Sequence, residues 1–122
     1  MLPDNPTLEQ LEAEFNQDHF ATHAAHCRII EGQKGHSICE MPIEDIHRNA
    51  MGNVMGGAIF TLADFALAIA ANVGQPSTVS VLIQLIFCVL AKALSLLQKH
   101  TALKREAVLH FLMLISLMTL EK

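Results

Sequence analysis

The sequence predicts an α+β fold, a strand hairpin followed by one long apolar helix. Three observations carry this reading. Residues 56–72 run G-G-A-I-F-T-L-A-D-F-A-L-A-I-A-A-N, apolar almost throughout, with Asp64 as the one charge. Ahead of them, Gly32-Gln33-Lys34-Gly35 separates two short stretches of strand character. Behind them, Gly74-Gln75-Pro76-Ser77 supplies the residues that end helices.

The elements follow in order. Pro6 precedes a capping Thr7, and Leu8, Leu11 and Phe15 recur at helical spacing, so a short helix is expected over Thr7 to Phe15. Asp18 to His26 reads as an irregular lead-in. Cys27 to Glu31 reads as a strand. His36 to Ile43 reads as its hairpin partner, alternating through Ile38 and Met41, with Pro42 near the strand end. Glu44 to Met51 is a loop. Gly56 to Asn72 is the central helix, apolar on nearly every side and therefore expected to be buried all round. Thr78 to Val81 begins another strand.

After Val81 the composition changes. Residues 1–81 hold all 6 glycines and all 4 prolines, while residues 82–122 hold no Gly, Pro, Asn or Asp. Repeated chain reversal needs such turn formers. The tail therefore reads as two apolar helices, Leu82 to Lys99 and Leu103 to Leu120.

A chain of 122 residues is one domain. Its net charge of −4 argues against nucleic acid. The 3 cysteines form no C-x-x-C pair, and Met1 to Asp18 is acidic rather than basic and then apolar. A reduced, cytoplasmic protein without a secretory leader is expected. Mean hydropathy is high, +0.37. Yet the apolar runs at Val81 to Leu97 and Ala107 to Leu120 fall short of the ~20 residues a spanning helix needs, and the run at Val54 to Val73 carries Asp64. No membrane is expected as a partner. His19, His23 and His26 could line one helix face, but the zinc-enzyme pattern with a Glu after the first His is absent, so they read as surface or partly buried side chains.

Residues 47–57, H-R-N-A-M-G-N-V-M-G-G, followed by seven residues to Asp64, resemble the hotdog-fold thioesterases of the phenylacetate-degradation (PaaI-like) type. The pattern there is H-x-N-x-x-G-x-x-H-G-G and a helix Asp. His47, Asn49, Gly52, Gly56, Gly57 and Asp64 sit at matching offsets, and Met55 stands where that family has His. The resemblance covers about Asp18 to Val81. It implies a hotdog fold, an antiparallel sheet wrapped around a long central helix, incomplete if the tail is helical. Residues 1–81 are the family-like part and 82–122 an atypical tail. It further implies hydrolysis of acyl-CoA thioesters, no metal or other cofactor, and a homodimer or homotetramer assembled through the hotdog sheet.

Such hydrolysis needs a donor for the thioester carbonyl, a base or nucleophile, and an apolar slot for the acyl chain. The first amides of a helix have no intrahelical partner and stand at the positive end of its dipole. Gly56 and Gly57 let a carbonyl approach them without a Cβ in the way, and the donor is assigned to one or the other. By resemblance, Asp64 works across a dimer interface as general base or nucleophile, and burial would raise its pKa. Asn49 could orient the carbonyl or the water, and Ser80 could hold the water. His47, Gly52, Met55 and Ser80 are expected to border the substrate. Each has a plainer reading: close helix–strand packing for the glycines, a cap or ion pair for Asp64, an Asx turn for Asn49, a structural role for His47.

Two other readings stand beside hydrolysis. One is a non-catalytic acyl- or CoA-binding hotdog. The other is an inactive remnant. Codons can be chosen for Val81 to Lys122 so that the frame displaced by two nucleotides reads as alternating strands with turn residues, which suggests a frameshift near Val81.

Overall fold

The computed structural model describes residues 1–79 and the strand at 108–114. In chain order these form α1 (Leu8–Phe15), a π-helical turn (Phe20–Ala24), β1 (Arg28–Gln33), β2 (His36–Pro42), a 3-10 turn (Asp45–His47), α2 (Gly56–Asn72) and β3 (Val108–Leu114). The strands make one antiparallel sheet in the order β1-β2-β3, and all three pack on α2. An antiparallel sheet against one long helix is the α+β layer arrangement that the hotdog resemblance implies. No helix among the described residues is long and apolar enough to cross a membrane.

The start of α1 follows the sequence closely. Thr7 Oγ1 accepts from the Gln10 amide, and Gln10 Oε1 accepts from the Thr7 amide, closing a capping box. Only Leu11 of this helix is buried, set against the core. The lead-in read as irregular is one π turn, in which the Ala25 amide donates to Phe20 O at 2.9 Å. His26 then takes φ 59, which turns the chain into β1.

β1 and β2 are joined by Lys34-Gly35 alone, tighter than the four-residue turn expected. Ile29 pairs with Cys39 but Glu31 pairs with Ile38, so Ile30 is an extra residue. The bulge moves the inward parity from Ile29 to Gly32 and keeps Glu31 outside. On β2 the inward residues are Ser37, Cys39 and Met41. Ile38 lies on the opposite face from Met41, because side chains alternate along a strand. The sequence expectation that paired them is corrected on that ground.

The tail brings a second correction. Over residues 108–114 the expected helix is a strand, paired with β2 from His36↔Leu114 to Pro42↔Val108. A short apolar run suits either state, and the open edge of β2 supplies hydrogen-bond partners that decide for the strand. The helix expected over 82–99, Cys88 and Ser80 lie outside the described residues. Thr78 and Val79 do not form a strand.

α2 spans the expected residues but is not buried all round. Ile59, Leu62, Ala63, Ala66, Ile69 and Ala70 face the core at helical spacing. Gly56, Gly57, Phe60 and Asp64 are exposed. The helix is tied to the hairpin at two levels. Ser37 Oγ donates to Ala66 O at 2.6 Å, and the Gly35 amide donates to Ala70 O at 3.0 Å, satisfying a carbonyl of the last turn. Gly74 then leaves the helix with φ +64, and a Cβ there would strike the side chain and backbone of Asp4.

Candidate active site

The loop before α2 is built from its own polar groups. Asn49 Oδ1 accepts from the amides of Met51 (3.0 Å) and Asn53 (3.1 Å), an Asx-type arrangement. Arg48 pairs with Val54 in an isolated bridge, and Arg48 donates to Gly52 O at 3.0 Å. Gly52 takes φ +79 with open space around it, a conformation that favours glycine over any L side chain. Asn49 is thus occupied in shaping the loop, with Nδ2 left free among the described residues.

His47 lies beneath this loop at 2% exposure. Its Nδ1 accepts from the Glu44 amide at 2.9 Å and its Nε2 donates to Ala25 O at 2.6 Å. An amide can only donate and a carbonyl only accept, so the ring is the neutral Nε2–H tautomer. Its backbone carbonyl accepts from the Met55 amide at 2.7 Å. Both ring nitrogens are committed within the chain, which leaves the substrate-bordering expectation for His47 to its ring face alone.

Met55 is the N-cap of α2 and makes no side-chain cap. Its carbonyl accepts from the amides of Ala58 and Ile59. The amides of Gly56 and Gly57 donate to nothing among the described residues. A Cβ added at Gly57 would meet only the end of the Met55 side chain, at 3.8 Å. Close packing among the described residues therefore does not account for glycine at 57.

Asp64 follows Gly57 by two turns on the same face, about 10 Å along the axis. It is exposed and has no ion pair or hydrogen bond among the described residues. The described residues do not supply the burial that was expected around this carboxylate. The structure brings Met55, Gly56 and Gly57 together at the helix start, with His47 and Asn49 as supports, and holds Asp64 apart.

Beside Gly57 lies an open groove of about 420 Å³, lined among others by Phe20, Ala24, Ile46, Met55 and Thr61. Sequence reasoning missed Phe20, Ala24, Ile46 and Thr61. They come from three separate segments, and no local pattern marks them. Under the site, Cys27 and Cys39 are buried free thiols. Burial, with Asp18 a smaller contributor, pushes Cys27 up to about 11. Burial, with Cys27 a smaller contributor, pushes Cys39 up to about 12. Both are unreactive core groups.

The three histidines near the N-terminus do not converge. His19 and His23 stack edge to face at 4.9 Å, whereas His26 turns away to Glu44 at 2.8 Å.

No family model matches the chain. It is 44% identical over 45 residues to an Archaeoglobus fulgidus protein described as "Putative esterase", covering 37% of this chain and 29% of that protein. In structure it is similar to the E. coli PaaI protein from the phenylacetic acid degradation operon, with 25% identity and a TM-score of 0.45, over 52% of this chain and 46% of that one. The chain thus matches less than half the length of each of these two relatives, one described as an esterase and one from phenylacetic acid degradation.

Proposed function

We propose that the chain hydrolyses acyl-CoA thioesters to free acid and CoA, as a homodimer or a dimer of dimers. The observation that carries this is the pair of amides at Gly56 and Gly57, which have no partner among the described residues, with Gly57 bordering an apolar groove. The likeness to a protein described as an esterase supports hydrolysis at an acyl group.

In this reading the thioester carbonyl oxygen sits at the Gly56 or Gly57 amide. Water attacks the carbonyl carbon while Asp64 takes its proton, and the new oxyanion is held by the amide. The C–S bond then breaks, and the proton on Asp64 passes to the departing thiolate. Asp64 acting first as nucleophile gives the same products through a mixed anhydride. One preorganised donor lowers such a barrier by ~3–4 kcal/mol. Gly57 and Asp64 of one chain stand about 10 Å apart along α2, so a carbonyl held at the Gly57 amide does not touch Asp64 of its own chain directly. That supports Asp64 acting on the site of a second copy, whose packing would also cover Phe60 and the exposed face of α2.

Asp64→Ala tests the assignment. Asp64 is exposed, so the fold should survive, and hydrolysis should fall about 10²-fold or more. Hydrolysis that continues unchanged removes Asp64 from the mechanism. The frameshift proposal is tested by the coding DNA around codon 81: stop codons in the displaced frame would end it.

A further inference from the structure

Two histidines on the π turn before β1 stand together without a role in the site above. His19 and His23 are four residues apart on one turn, and both are exposed. Their ring centroids lie 4.9 Å apart, with the planes at 76°. The hydrogen bonds around them fix which nitrogen is open. Thr22 Oγ1 donates its one proton to Asp18 O at 2.9 Å. Towards His23 Nδ1, at 3.1 Å, the same oxygen can therefore only accept. His23 is thus the Nδ1–H tautomer, and its Nε2 carries a lone pair with no partner among the described residues. Neither ring nitrogen of His19 has a hydrogen-bond partner among the described residues.

We infer that His19 and His23 form a two-imidazole site for a divalent transition-metal ion of the copper, nickel or zinc type. The spacing fits. A metal–nitrogen bond of about 2.1 Å, with a nitrogen–metal–nitrogen angle of about 90–110°, puts two ring centroids about 4.5–5.2 Å apart. The ligand state fits as well. Imidazole binds such ions as the neutral ring, and a ligating histidine donates its second N–H to an oxygen. Thr22 Oγ1 already takes that N–H from His23. Hard ions such as Mg2+ ask for oxygen ligands instead. Among the described residues no group of three or more His, Cys, Asp or Glu side chains could hold a metal ion, which leaves the other positions around this ion to water. Cys27 and Cys39 are buried and keep their protons at neutral pH, so they do not compete for it. An ion there would brace the turn whose Ala25 carbonyl accepts from His47. It takes no part in the hydrolysis proposed above, and the inference does not rest on that reading.

The test titrates the full chain with Zn2+ and with Ni2+ calorimetrically at neutral pH, and both should bind. His19→Ala and His23→Ala each remove a ligand and should weaken binding by at least about tenfold. Both side chains are exposed, so these variants keep the fold, which circular dichroism verifies. Thr22→Val removes the acceptor for His23 Nδ1–H and should weaken binding about tenfold, while Thr22→Ser should restore it. His26→Asn should leave the affinity unchanged, because His26 turns away to Glu44 and Asn tolerates its φ of 59. An excess of Mg2+ should not displace the bound ion. No binding to the parent, an unchanged affinity in any of the alanine or valine variants, an equal loss in His26→Asn, or displacement by Mg2+ would each overturn the inference.

Discussion

His47 Nε2 donates to the carbonyl oxygen of Ala25 at 2.6 Å, while Nδ1 of the same ring accepts from the Glu44 amide at 2.9 Å. The ring therefore bridges the π turn and the loop that leads to α2. Met55 hangs from the backbone carbonyl of His47, so the strut also sets where the helix begins.

Removing the strut should be costly. His47→Ala leaves the buried Ala25 carbonyl and the Glu44 amide without partners, and should lower the free energy of unfolding by about 3 kcal/mol. His47→Gln can restore the donor to Ala25 and should recover about half of that loss. Urea unfolding of the three proteins checks it. A His47→Ala protein as stable as the parent would show that the ring is not a strut.

Two glycines should respond in opposite ways. Gly74→Ala needs a left-handed φ of +64 and collides with Asp4, so it should lose about 2 kcal/mol of stability or more. Gly57→Ala meets no obstacle among the described residues, and its helix propensity should leave stability equal or raise it by up to about 1 kcal/mol. If a carbonyl must approach the Gly57 amide, the same alanine should cut hydrolysis by about tenfold or more. A Gly57→Ala protein with full activity would mean that nothing approaches there.

Alkali should weaken the fold through the buried thiols. Cys27 and Cys39 are raised from 9.0 to about 11 and about 12. In the unfolded chain they ionise near 9, so the folded state holds more protons above that pH. The stabilisation is complete below pH 9 and is lost as pH rises towards 11 and 12. Between pH 8 and 10 the free energy of unfolding should drop by about 3 kcal/mol. Cys39→Ala should flatten that slope, and an unchanged slope would assign the loss to other groups.

How far the sequence could be read followed from how local each signal was. The Thr7 cap and the limits of α2 are written in adjacent residues, and both stand as expected. The exposed face of α2 was hidden because Phe60 looks like a core residue, and uniform apolarity does not say which side lies inward. The parity change at Ile30 needs the register with Cys39, which no window on one strand contains. The pairing of β3 with β2 is likewise non-local. At the site, the glycines and Asp64 could be found by spacing. Phe20 and Ile46 meet the groove only through the fold.

The separation of Gly57 and Asp64 along one helix gives a prediction that a single variant cannot. Suppose each site takes its amide donor from one copy and its carboxylate from the other, in a two-fold dimer. Asp64→Ala alone and Gly57→Val alone are then both inactive, because every site lacks one pole. Mixed and reassociated, they form heterodimers in which one site carries both defects and the other carries neither. Random reassociation makes half the dimers mixed, so activity should return to about one quarter of the parent value. If both poles came from the same chain, every site in the mixture would still lack one, and no activity would return. The test needs only that the two variants dimerise, which size-exclusion chromatography establishes before the assay. Phe60, next to Asp64 on the exposed face, should become protected in that dimer, and Phe60→Glu should dissociate it and abolish activity together. A monomeric Phe60→Glu protein that still hydrolyses thioesters would place both poles in one chain.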